Sequence, residues 1–209
     1  MSVLDQLASS LGRRDEVPNQ ELARELAIKK DRKGIRELAE NLWNKDKNIQ
    51  ADCIKVLYEV GAIEPKLIAN YADDFVKCLR SRNNRLVWGG MTALGEVAKA
   101  DPDVVFKYLS EIKKAKETGS VITVDNAIST LAYTAAAKEE YTNAIFPYLL
   151  KHLSGCRPKE VPQHVEKTLP AVTASNKMDF INVLEKRLED LSGSGLSRVK
   201  KVIKQVSSL

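Results

Sequence analysis

The chain contains 209 residues, of which 44% are hydrophobic and 29% are charged. This hydrophobic content can bury a substantial core, which excludes disorder over the whole length. Aromatic residues make up only 6%, and 10 glycines and 7 prolines are few for this length, so the composition favours long helices over an all-β fold. The formal net charge of +5 permits an acidic partner without requiring one.

The start of the chain does not look like a targeting segment. Its first ten residues have neither the basic start nor the apolar core of a secretion signal. No apolar stretch approaches the roughly 20 residues of a transmembrane segment. We therefore expect a cytoplasmic protein, in which Cys53 and Cys78 lie in the core as thiols. An aromatic side chain near the end of an early helix, Trp43, is also expected in the core.

A repeat of 37 residues organises the middle of the chain. Residues 51–65 align with residues 88–102, and the matched positions include Pro65 and Pro102. Within each unit apolar residues recur at spacings of three and four, which predicts two amphipathic helices. One helix pair cannot cover its own apolar stripe, so we expect the pairs to stack side by side.

Turn and capping residues mark the ends of these helices. Asp101 and Pro102 form an N-cap followed by proline at the first helical position. Residues 81–84 are predicted as a short turn, and residues 113–120 as a longer polar loop. His152 is expected at a helix C-terminus, where an imidazole can bond free carbonyls, and His164 follows Pro162 in a predicted turn.

Residues 86–98 resemble the second helix of a HEAT repeat, because Ala93, Leu94 and Gly95 match its Ala-Leu-Gly triplet. Residues 145–153 are similar to the first helix of such a repeat, including a proline in the middle, Pro147. The resemblance implies an all-α fold, a right-handed α-α superhelix (solenoid) of about five two-helix repeats.

We expect these repeats to form a single domain. Its predicted parts are an N-terminal cap with the first repeat, the core repeats, the last repeat and a basic amphipathic capping helix, at residues 1–46, 47–157, 158–195 and 196–209. Residues 192–195 separate the last part from the rest. The capping helix carries most of the net charge, since it has four basic residues and no acid.

The resemblance also implies that the second helices line a concave face on which partners dock. At 100° per residue, side chains opposite the buried stripe share this face. The predicted concave row consists of Lys55, Glu59, Trp88, Thr92, Glu96, Asp125, Ser129 and Tyr133.

Trp88 is followed by Gly89 and Gly90, although glycine is disfavoured inside a helix. Either these glycines allow close helix packing with Trp88 covering the seam, or they leave space for a partner.

The leading functional hypothesis is a non-enzymatic scaffold that binds a protein or peptide partner through this row. No combination of acid, base and oriented nucleophile is visible, and no cofactor or metal is expected, because two histidines and three cysteines without C-x-x-C spacing are few ligands. The alternative is nucleic-acid binding through a basic surface. That surface consists of Arg80, Arg82 and Arg85 in a turn and Arg198, Lys200, Lys201 and Lys204 in the capping helix.

Overall fold

The structure, a computed structural model, describes residues 2–209, which are largely helical and contain no β-strand. Residue contacts divide the chain into two compact units, Met1–Thr130 and Leu131–Leu209. In chain order the α-helices are α1 (Val17–Lys29), α2 (Arg32–Glu40), α3 (Lys47–Ile63), α4 (Ala72–Cys78), α5 (Asn84–Ala100), α6 (Pro102–Phe106), α7 (Leu109–Thr118), α8 (Val121–Ala135), α9 (Glu139–Gly155), α10 (Val161–Thr168), α11 (Lys177–Arg187) and α12 (Gly193–Ser207). Short 3-10 turns occur at Val3–Gln6, Asn41–Trp43, Pro65–Leu67, Ala69–Tyr71, Pro158–Glu160, Leu169–Ala171 and Leu188–Asp190.

The repeat of 37 residues is visible in the helix boundaries. Helices α3 and α5 both contain 17 residues, and α5 begins 37 residues after α3. Their N-caps are equivalent, because the side chains of Asp46 and Asn83 each accept a hydrogen bond from the backbone N–H two residues later. Asp101 caps α6 as predicted, by accepting from the backbone N–H of Val104. Local sequence signals therefore fix where these helices begin.

In the first unit, α3 packs against α1 and α5, and α4 packs against α5. The apolar stripes of α3 and α5 meet in a core that includes the fully buried Leu57 and Leu94. Cys53 and Cys78 are also buried there as free thiols, which confirms their predicted place in the core. Stacking buries both helix faces that the sequence marked as apolar.

In the second unit, α9 packs against α10 and α11, and α12 packs against the same two helices. Helix α9 continues through Pro147, as predicted. Helix α12 buries the apolar stripe of Val199, Val202 and Val206 and leaves its basic residues exposed. It begins at Gly193, so residues 192–195 form the start of the helix rather than a separating linker.

The predicted loop at residues 113–120 is wrong over most of its length. Helix α7 extends to Thr118, and its apolar side is buried at Ile112 and Ala115. Lysine and glutamate form helices readily, so this polar stretch needed only two buried contacts to remain helical.

Two side chains lie elsewhere than predicted. Trp43 is 47% exposed rather than in the core, because the chain tightens into a 3-10 turn at this point and buries Leu42 instead. His164 lies inside α10, fully buried, rather than in a turn. Pro162 stands near the N-terminus of α10, where a proline is compatible with the helix and does not end it.

None of the helices described within residues 2–209 has the length and apolar character needed to cross a membrane. The grouping of the repeats into one domain stays a prediction.

Candidate binding cleft beside Trp88

A cleft of about 560 Å³ lies in the first unit, and we name it the Trp88 cleft. Three parts of the chain form its walls: the N-terminal segment that leads into α1, the first half of α3 and the start of α5. The lining residues are Ala8, Ser9, Gly12, Arg13, Arg14, Asp15, Glu16, Asn19, Asn48, Ala51, Asp52, Lys55, Arg85 and Trp88.

Trp88 is half-buried, and its indole packs against Tyr58 with ring centroids 6.0 Å apart. The glycines that follow it are required for packing. A Cβ on Gly89 would lie 2.7 Å from the Ile54 side chain, and one on Gly90 would lie 2.8 Å from the backbone oxygen of Phe75. The hypothesis that the glycines leave space for a partner is therefore wrong. Close packing of α5 holds Trp88 at the edge of the cleft.

Lys55 is held by two acids in the wall of the cleft. Its Nζ lies 2.8 Å from a carboxylate oxygen of Glu16 and 2.7 Å from one of Glu59. Burial lowers the pKa of Lys55, but the hydrogen bonds to these carboxylates outweigh that effect, so its pKa lies above the usual value. The charge of Lys55 is therefore compensated within the protein and contributes little to attracting a ligand.

The acidic groups of the cleft are also engaged. Asp15 accepts two hydrogen bonds from Arg13, which hold the pKa of its carboxyl below the usual value. Asp52 accepts from the backbone N–H of Ser9 at 2.8 Å and from the Asn19 amide at 2.9 Å. Within the described part of the chain, every carboxylate that lines the cleft has a donor or a cation beside it.

Two cationic side chains in the cleft remain without such a partner. Within residues 2–209 the guanidinium groups of Arg14 and Arg85 form no ion pair or hydrogen bond, and both residues are exposed. Arg14 lies just before α1, and Arg85 lies in the first turn of α5. The cleft therefore presents two uncompensated positive charges next to an aromatic ring.

The eight residues of the predicted concave row are all half-buried. Lys55 and Trp88 line the cleft, whereas the others are elsewhere. Thr92 accepts a hydrogen bond from Asn126 at 2.7 Å, and Glu96 pairs with Lys99 at 2.6 Å. Glu59 binds Lys55, the Ser129 hydroxyl donates to the backbone of Asp125 at 3.4 Å, and Tyr133 belongs to the second unit. A binding role for the row stays a prediction.

The three arginines of the predicted basic turn do not lie together in the wall of one cavity. Arg85 lines the Trp88 cleft, whereas Arg80 lines another cavity and lies 3.6 Å from Glu111. Arg82 is exposed and lines neither cavity. In the second unit, Arg198 binds both carboxylate oxygens of Glu166, at 2.8 and 2.6 Å.

Sequence reasoning missed the N-terminal wall of the cleft. Residues 13–16 are two basic side chains followed by two acidic ones, a signal that the repeat could not place because this segment precedes the first aligned unit. Sequence reasoning also predicted that His152 bonds the free carbonyls at the end of its helix. In the structure its Nε2 lies 2.9 Å from Nδ1 of His164.

No protein-family model and no curated protein matches this sequence. Solved structures do match. An engineered protein aligns with 100% of this chain and 98% of its own length, with a TM-score of 0.69 at 18% identity. A designed armadillo repeat protein in complex with the peptide (KR)4 aligns over 99% of both chains, with a TM-score of 0.70 at 16% identity. Kap121p, in a structure bound to Pho4p, matches 95% of this chain with a TM-score of 0.65 at 15% identity.

This chain spans only 22% of Kap121p. At these identities the likeness concerns the fold alone. It agrees with the 37-residue repeat seen in the helix boundaries and with the all-α composition. The chain therefore has the HEAT and armadillo type of helical-repeat fold.

Proposed function

We propose that this chain is a non-enzymatic scaffold that binds a partner protein, and that the Trp88 cleft recognises an acidic segment of that partner. The observation that carries the proposal is the imbalance of free charge in the cleft. Its carboxylates have partners within the protein, whereas Arg14 and Arg85 have none among the described residues.

The residue types in the cleft suit a protein ligand. Tryptophan and arginine are enriched among the residues that dominate binding energy at protein interfaces. A guanidinium offers a planar fork of donors that matches both oxygens of a carboxylate. Trp88 supplies apolar area beside that charge, and its contact with Tyr58 limits the freedom that binding would remove. An acidic segment with an apolar side chain next to an acidic one fits this pattern.

The structural neighbours support a protein or peptide as the class of ligand, since one is in complex with (KR)4 and another is bound to Pho4p. The peptide (KR)4 is basic, and the free charges of the Trp88 cleft have the same sign as that peptide. We therefore expect the opposite preference in this chain, because like charges across an interface cost affinity.

The test uses fluorescence anisotropy with a panel of labelled octapeptides rich in glutamate and leucine, and with (KR)4 as the basic comparison. We expect the acidic peptides to bind and (KR)4 not to bind. The double variant Arg14→Glu/Arg85→Glu should weaken acidic-peptide binding at least about tenfold, which corresponds to about 1.4 kcal/mol. Trp88→Ser should weaken it while the helical circular dichroism signal is retained.

The matched control is Arg82→Glu, because Arg82 is an exposed arginine close in sequence that does not line the cleft. It should bind the acidic peptides as the unaltered protein does. Equal losses in Arg82→Glu and in the double variant would assign the effect to overall charge rather than to the cleft. If Trp88→Ser unfolds, Trp88 is required for the core, and its proposed role in binding the partner is wrong.

Nucleic-acid binding is the second candidate function. It is favoured by Lys200, Lys201 and Lys204, which are exposed on α12 and make no ion pair or hydrogen bond within residues 2–209. Binding of labelled duplex DNA or single-stranded RNA through phosphates should fall steeply as salt is raised, because counterions are released. Replacing all three lysines with glutamine should abolish the binding of nucleic acid. Unchanged affinity in that variant would exclude α12 as the binding surface.

We further propose that the chain acts in the cytoplasm. The supporting observation is chemical: Cys53, Cys78 and Cys156 are free thiols, which a reducing compartment preserves. Localisation of a fluorescently tagged chain in intact cells tests this part separately.

A further inference from the structure

The second unit contains a cluster of nitrogen and sulfur side chains that the proposed binding function does not use. His152 lies in the last turn of α9, and Cys156 is the C-cap residue of that helix. His164 extends from α10 and is fully buried. One nitrogen from each imidazole and the sulfur of Cys156 all lie within 4.8 Å of one another. We name these three residues the His152 cluster.

The spacing of the cluster residues suits joint ligation of one ion. His152 and Cys156 are four residues apart, so they point to the same side of α9. The nitrogen atoms Nε2 of His152 and Nδ1 of His164 are 2.9 Å apart. In a tetrahedral zinc site with bonds of about 2.0–2.3 Å, neighbouring ligand atoms are separated by roughly 3.3–3.6 Å. Entry of an ion would break the contact between the imidazoles and move the ligand atoms by about 1 Å.

We propose that His152, Cys156 and His164 bind one zinc ion. Imidazole and thiolate are the ligands that Zn²⁺ prefers, and three protein ligands leave the fourth position for water or another small ligand. The proposal departs from the sequence interpretation, which gave His152 a structural role at a helix end, placed His164 in a turn and predicted no metal.

The surrounding residues hold the ligands in place. Arg187 is nearly buried, and its guanidinium donates hydrogen bonds to the backbone carbonyls of Leu153 and Cys156, the latter at 2.8 Å. These bonds fix the end of α9 from which two of the three ligands extend. Fixed ligands need less ordering when the ion binds, which favours affinity.

The charges around the cluster do not prevent a cation from entering. Arg187 is the buried cation beside Cys156, and its charge is compensated by a carboxylate oxygen of Asp190 at 2.6 Å. Glu160 also acts electrostatically on both Cys156 and His164, and its carboxylate is paired with Arg157. A bound ion would also connect α9 to α10, so zinc should stabilise the second unit.

The experiment starts from the full chain after dialysis against a chelator. Zinc is titrated by calorimetry, and Co²⁺ serves as a spectroscopic probe, since a cobalt–thiolate bond gives a charge-transfer band. We expect one equivalent of either ion to bind. At a zinc concentration about 100 times Kd, Tm should rise by about 5–10 °C.

Two variants and one control assign the site. Cys156→Ser should lose the charge-transfer band, and His152→Ala should bind zinc at least about tenfold more weakly. His152 is half-buried, so its replacement preserves the fold more readily than a change at the fully buried His164. Cys53→Ala is the control, because it removes a buried thiol of the first unit and should keep the band.

Failure of the chelated protein to bind zinc, with no change in Tm, would overturn the proposal. Retention of the cobalt–thiolate band in Cys156→Ser would overturn it too. Peptide binding at the Trp88 cleft is measured on different residues, so neither result depends on the proposed scaffold function.

Discussion

The Trp88 cleft and the His152 cluster are built in opposite ways. The cleft presents exposed charges, and among the residues that the structure describes no side chain compensates its two arginines, Arg14 and Arg85. The cluster is partly buried, and its side chains lie close together because α9 and α10 pack together and Arg187 holds the helix end. Substitutions of Arg14 and Arg85 should therefore change binding with little effect on stability, whereas substitution of Arg187 beside the cluster should change stability first.

The largest effect is expected at the support of the His152 cluster. Arg187→Met keeps much of the buried volume but leaves the carbonyls of Leu153 and Cys156 without their donor. We expect the free energy of unfolding to fall by about 2–4 kcal/mol, measured by urea denaturation at neutral pH.

The matched control is Arg157→Met in the same unit, because Arg157 pairs with Glu160 while its side chain is 56% exposed. Its cost should be much smaller than that of Arg187→Met, because solvent screens an exposed ion pair. Equal losses in the two variants would mean that Arg187 acts as an ordinary surface charge.

A smaller effect is expected from glycine substitutions in the two regions. Gly90→Ala places a Cβ 2.8 Å from the backbone oxygen of Phe75, which cannot move without shifting the chain. Although alanine favours helix, we expect a net loss of about 1–3 kcal/mol in unfolding free energy from overpacking.

Gly155 at the end of α9 is the control, because a Cβ there meets nothing within 4 Å. Gly155→Ala should leave stability unchanged or raise it by up to about 1 kcal/mol. A stable Gly90→Ala would show that α5 can move away from its neighbours and would weaken the argument that packing fixes Trp88.

The smallest effect is expected at the ion pair between α10 and α12. The hydrogen bonds from Arg198 hold the pKa of Glu166 below its usual value near 4.5. A carboxyl whose pKa is lowered by folding contributes stability above its unfolded pKa and loses it as the pH falls through the folded pKa. Because both side chains are more than 40% exposed, with values of 47% and 42%, the contribution should stay below about 1 kcal/mol.

The measurement compares Glu166→Gln with the unaltered protein by urea denaturation. The variant should be slightly less stable at about pH 7, and the difference should shrink as the pH falls below 4.5 and through the lowered pKa of Glu166. A difference that does not depend on pH would show that the carboxylate charge is irrelevant there.

Much of the fold could be predicted from the sequence. The 37-residue repeat placed α3 and α5 in equivalent positions, and the helical period separated the buried Leu86, Leu94 and Val97 from the half-buried concave row. These predictions succeed because the formation of a helix, and which of its sides is buried, depend on residues within a few positions of one another. The loop assigned to residues 113–120 was wrong because polarity alone does not distinguish a solvated helix from a loop.

The candidate sites were less predictable. Trp88 and Lys55 were identified from their place in the repeat, but the N-terminal wall with Arg14 has no equivalent in the repeat. The sequence also could not show which charges in that cleft compensate each other, because ion pairing depends on distances across three separate parts of the chain.

The sequence by itself determined helices α3 and α5, their repeat and the buried face of each, since these follow from local periodicity and capping. Only the tertiary structure decided what fills the space above Gly89 and Gly90, and the answer was Ile54 and Phe75 rather than a ligand. The tertiary structure also places His164 of α10 beside His152 at the end of α9, although the two residues are twelve positions apart in the sequence. Such contacts result from the packing of whole helices, so they cannot be read from the local sequence around one side chain.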